Sequence, residues 1–60
     1  MLLPGDHVKL RNDTRQRTGV VVANVDDAHA PEGASGEPGV QVLLGGELIQ
    51  WIRCSELIRL

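Results

Sequence analysis

The sequence predicts an all-β fold: a small, closed or nearly closed barrel of five short strands. A long acidic loop separates the second and third strands, and a short helical turn precedes the last. Three observations predict this. Short runs rich in Val, Ile and Leu are separated by Gly-, Pro- and Asp-containing turns. Two of the runs flank a Gly45-Gly46 pair, a strong short-range hairpin signal. No stretch has both the length and the 3.6-residue apolar period that a stable helix needs.

Pro4-Gly5-Asp6 is a turn that launches the first strand, His7–Arg11, in which Val8 and Leu10 face one way. Asn12–Arg17 is a polar loop; Arg15 and Arg17 at its tip could hold an anion, although a solvated turn is the simpler reading. Thr18–Val25 is the second strand, because its β-branched residues suit a pleated surface. Gly19 has no side chain to pack and marks a sharp bend or a close backbone approach. Val20 and Val22 share one face, Val21 and Ala23 the other, and Val25 rejoins the first face only through a bulge. Residues 26–38 are rich in Gly, Pro, Ala and acid, have no apolar period, and read as a mobile loop. Asp26, Asp27, His29 and Glu32 lack the spacing of a metal loop, which favours a solvated acidic segment. Gly39–Leu44 and Glu47–Arg53 are the third and fourth strands. Cys54–Leu57 forms one helical turn, and Ile58–Leu60 is a last strand with Arg59 opposed to Ile58 and Leu60.

Composition bounds what such a chain can do. Sixty residues make a single domain. A domain this small usually needs a staple, since burial barely exceeds the entropy of ordering the chain. Cys54 is the only cysteine, so no disulfide forms within the chain. Cys54, His7 and His29 are not at zinc spacing, so neither a metal nor a cofactor is expected. Oligomerisation remains as the staple. A lone cysteine and the absence of an export signal or membrane span point to the cytoplasm. Met1-Leu2-Leu3 is too short for a signal sequence. The net charge is −2, which excludes a global basic footprint, yet Lys9, Arg11, Arg15 and Arg17 lie close together in sequence.

The hairpin poses a register question. Residues opposite one another across a hairpin share a face. A two-residue turn pairs Val42 with Ile49 and Val40 with Trp51, leaving Leu43, Leu48 and Ile52 outside. A three-residue turn pairs Val42 with Gln50 and Val40 with Ile52, leaving Leu43, Ile49 and Trp51 outside. In either register three large apolar side chains stand on the outer face, and Val21 could add to them. Each one left wet forgoes roughly 1.5–3 kcal/mol of burial, and a contiguous set suggests an interface.

Pro4-Gly5-Asp6-His7-Val8-Lys9-Leu10, Thr18-Gly19-Val20-Val21-Val22, Gln50-Trp51-Ile52 and Leu57 together resemble the SH3-like small barrels. These include KOW and Tudor-like modules and the C-terminal barrel of nitrile hydratase β subunits. The resemblance covers nearly the whole chain outside the acidic loop. It implies a long loop before the fourth strand, hence the three-residue register and an outward Trp51. The segment Leu48–Leu60 is also similar in spacing to the end of type II dihydrofolate reductases, tetrameric barrels whose Val-Gln-Ile-Tyr motif lines a pore. Ile49 and Gln50 match its Val and Gln, while Trp51 and Ile52 replace its Ile and Tyr.

Three functions follow as expectations. The first is a non-enzymatic interaction module that self-associates or docks on a partner protein through Trp51, Ile49, Leu43 and Val21. Trp51 is its anchor, because Trp is favoured at hot spots. The second is nucleic-acid binding through Lys9, Arg11, Arg15, Arg17 and Arg53. The third, implied by the reductase resemblance, is a pore in which Gln50 binds a cofactor or substrate amide. No catalytic triad, paired carboxylate or phosphate-binding glycine loop is present, so no catalytic residue is expected.

Overall fold

The computed structural model describes residues 2–26, 30–34 and 36–60. Five strands form one antiparallel sheet: β1 (His7–Leu10), β2 (Thr18–Val25), β3 (Gly39–Leu44), β4 (Glu47–Arg53) and β5 (Leu57–Arg59). A 3₁₀ turn, Cys54–Glu56, joins β4 to β5. The order across the sheet is β4-β3-β2-β1-β5, so β4 and β5 are its edges. The second, third and fourth strands lie where their composition places them. The last strand begins one residue early, because the 3₁₀ turn closes after Glu56 and the Arg11 N–H donates to the Glu56 carbonyl (2.8 Å).

The core is entirely aliphatic. Val8, Val21, Val40, Val42, Leu44 and Leu57 form one buried cluster, with Leu2, Leu10, Ile49, Ile52 and Cys54 packed against it. Val21 was expected on the outer face. It is instead 2 % exposed, because its register with Val42 puts both side chains inside. A bulge between Val21 and Ala23 then brings Ala23 opposite Gln41. This is the irregularity that Val25 needed in order to share a face with Val20.

The hairpin uses both candidate registers. Gly45 and Gly46 have φ of 58° and 84°, the left-handed pair that a two-residue type I′ turn requires. Near this turn Leu44 pairs with Glu47, Leu43 with Leu48, and Val42 with Ile49. Beyond an irregularity between Val40 and Val42, Val40 pairs with Ile52. β4 has one extra residue there, at Gln50-Trp51, so the two-residue register holds at the tip and the three-residue register at the base. Ile49 and Ile52 therefore both turn inward. Ile49, expected among the outward residues, is half-buried against the core.

Gly19 is a close backbone approach. It lies opposite Leu44, and a Cβ there would strike the Leu43 carbonyl oxygen and come within 2.9 Å of Leu44 Cα. The acidic segment is tied down where it is described. Ala34 is buried, the Ala34 N–H donates to the Pro31 carbonyl (3.1 Å), and the Cys54 N–H donates to the Pro38 carbonyl (3.0 Å).

The loop between β1 and β2 closes on Asp13. Its carboxylate accepts the backbone N–H groups of Arg15 and Arg17 (3.1 Å each) and Nε of Arg17 (2.9 Å). The Arg17 side chain is the main cause that holds the Asp13 carboxyl below its ordinary range. A carboxylate with a depressed pKa in the folded state stabilises the protein above its unfolded pKa, and that contribution disappears as pH falls through the folded value. Asp13→Asn is therefore expected to be less stable than the parent at pH 7. The gap should narrow below about pH 4, where the unfolded carboxyl is already protonated. Paired thermal melts at pH 7 and pH 3 check this, and an equal gap at both would refute it.

Candidate functional site: the outer face of the sheet

Strand register builds an apolar row across the face turned away from the core. Val20 pairs with Leu43 and Leu43 with Leu48, so these three side chains stand on one face of β2, β3 and β4. His7 pairs with Val20, and the Leu60 N–H donates to the His7 carbonyl (2.8 Å), which extends the row across β1 to the end of β5. Four strand spacings of about 4.8 Å make the row roughly 19 Å wide. Leu43 is 42 % exposed, Leu48 51 % and Leu60 62 %. Val22, 44 % exposed, alternates with buried Val21 and adds to this face.

Trp51 stands on the same face, since Ile52 after it turns inward. Its indole lies over Gly39. A Cβ on Gly39 would collide with the indole, which is the reason a glycine occupies that position. The Arg53 guanidinium sits 6.0 Å from the ring centroid, within the range of a cation–π contact. The indole Nε1 is buried without an acceptor. Such an orphaned donor costs roughly 1–3 kcal/mol. Beside Trp51, Gln41 Nε2 donates to Gln50 Oε1 (2.9 Å), which occupies one of the Gln50 polar atoms within the sheet.

Of the residues expected at an interface, Leu43 and Trp51 are on this face, and Val21 and Ile49 are not. Leu48, outward in the two-residue register, is on the face as well; Val20, Val22 and His7 also belong to it and were not singled out as interface residues from sequence. The alternation within each strand and the two-residue turn together carry the signal for Leu43 and Leu48. The partnering of Val20 and His7 required the register between strands distant in sequence.

The basic residues are largely engaged. Arg17 pairs with Asp13 and reaches Glu47 (4.0 Å). Arg53 pairs with Glu37 and with Glu56 (3.6 Å). Arg11 Nε donates to the Ser55 carbonyl (3.2 Å). Lys9 and Arg15 remain as cations with no carboxylate within ion-pair distance among the described residues. Arg17 thus spends its charge on its own loop rather than on an external anion. Among the described residues no three His, Cys, Asp or Glu side chains group together as a metal site. Asp27 and His29 lie outside the described residues. Cys54 is a free, half-buried thiol. It helps line an apolar cleft of about 360 Å³ with Leu2, Val25 and Pro38. No helix among the described residues is long and apolar enough to cross a membrane.

No protein-family model, curated protein or solved structure matches this chain.

Proposed function

We propose that this chain is a non-enzymatic interaction module, an SH3-like small barrel that pairs with a second copy of itself through the outer face of its sheet. The observation that carries this is the in-register apolar row of Val20, Leu43 and Leu48, with Val22 beside it. The strand order and the 3₁₀ turn before the last strand support the barrel reading. Two further features favour a second copy as the occupant. A symmetric interface uses the same patch of both copies, so any fixed charge in it would be desolvated twice. The row Leu60-His7-Val20-Leu43-Leu48 has no fixed side-chain charge. The core is also small and unstapled, with a buried cluster of six aliphatic residues and one free cysteine among the described residues, so burial against a neighbour supplies what a disulfide otherwise would. A face this narrow falls at the small, weak end of stable interfaces. The dimer is accordingly concentration-dependent, and the cytoplasm, where Cys54 stays a thiol, suits it.

Sedimentation equilibrium from micromolar to millimolar concentration tests the proposal. The parent chain is expected to pass from monomer to dimer. Leu43→Glu and Leu48→Glu should each weaken association at least tenfold, about 1.4 kcal/mol, with an unchanged far-UV spectrum. A parent that stays monomeric at millimolar concentration, or variants that associate as the parent does, would overturn it.

A further inference from the structure

We propose that His7 makes this self-association pH-dependent, so that the dimer forms when the imidazole is neutral and loosens when it is protonated. The inference rests on the self-association reading above and adds its regulation. His7 is the one side chain of the row that can gain a charge. It pairs with Val20 on one side, and on the other its carbonyl accepts the Leu60 N–H. A symmetric dimer carries His7 of both copies into the same interface, so protonation buries two charges in an apolar surface and the desolvation cost is met twice.

The groups that face His7 set the sign. On β1 the same face presents Lys9, a cation. From β2 it presents Val20 and Thr18, and from β5 Ile58 and Leu60. Lys9 is the only other charged side chain of this set. Asp6, one residue before His7, turns to the other side, where it pairs with Arg59 (3.3 Å). Arg59 in turn stands opposite core-facing Val8. Among the described residues no acidic side chain on this face is therefore placed to reward the imidazolium, and Lys9 on the same strand face adds a like charge.

Sedimentation equilibrium of the full chain at pH 7.5 and pH 5.5 tests the proposal, because histidine is the side chain that ordinarily titrates in this window. The dimer dissociation constant is expected to rise tenfold or more at pH 5.5. His7→Gln should dimerise equally at both pH values, and His7→Lys should be weak at both. His29→Gln, which alters the only other imidazole, should behave as the parent. A parent dimer of unchanged or greater affinity at pH 5.5, or pH dependence that survives His7→Gln, overturns the role of His7 and leaves the dimer standing. A parent that is monomeric at both pH values overturns the self-association reading and this inference with it.

Discussion

Gly19→Ala is expected to unfold the domain or cost at least about 3 kcal/mol, the upper part of the range for overpacking. The added methyl would meet the Leu43 carbonyl oxygen and Leu44 Cα, and both are main-chain atoms. A clash with a side chain can be relieved by rotation; a clash with backbone can be relieved only by moving a strand. Here the strands are β2 and β3, which share the central part of the sheet and hold Val21 against Val42 two residues further along. Parting them at Gly19 disturbs the pairing of Val20 with Leu43 as well. Urea unfolding followed by Trp51 fluorescence, the only aromatic signal in the chain, measures the loss. Parent-like stability would show that the two strands can separate locally at no cost, contrary to the close approach.

Leu44→Ala carries the second large effect. Leu44 is 1 % exposed, heads the fully buried side chains by volume, and ends β3 just before the Gly45-Gly46 turn. Truncating a buried leucine costs about 2–5 kcal/mol, from lost transfer energy and the cavity left behind. A domain of this length has a total stability of only roughly 3–9 kcal/mol. The variant should therefore melt far below the parent, by roughly 4–8 °C for each kcal/mol lost, or fail to fold. Leu43→Ala, one residue earlier on the exposed face, provides the contrast. It should leave the thermal midpoint of the monomer nearly unchanged at low concentration. Equal losses at the two positions would contradict the assignment of Leu44 to the core and Leu43 to the surface. Scanning calorimetry at micromolar protein separates the two outcomes.

Much of the architecture was legible locally. Short β-branched runs and their turn residues placed β2, β3 and β4, and Gly45-Gly46 placed the hairpin. The alternation of Val8 and Leu10 put both on one face, which the structure shows to be the core side. These signals are confined to a few neighbouring residues, where backbone sterics and side-chain period act directly. The candidate site was legible in part. Leu43 faces outward in either register, and Trp51 does in one of them. Ile49 was misplaced because the extra residue of β4 lies beyond it, so the two-residue register holds at its level, and Val21 because its face is set by pairing with Val42 on a strand distant in sequence.

Short strands, the lack of an internal disulfide, and a hairpin with more apolar residues than one interior face can use are all readable along the chain. Which of those residues stay outside depends on how the strands pair. The extra residue in β4 lets Ile49 and Ile52 both turn inward while Trp51 turns out to cover Gly39. The register between distant strands sets His7, Val20, Leu43 and Leu48 in one row. Pairing between strands is a long-range choice, governed by which side chains the whole core can accommodate, and no local pattern along the chain encodes it.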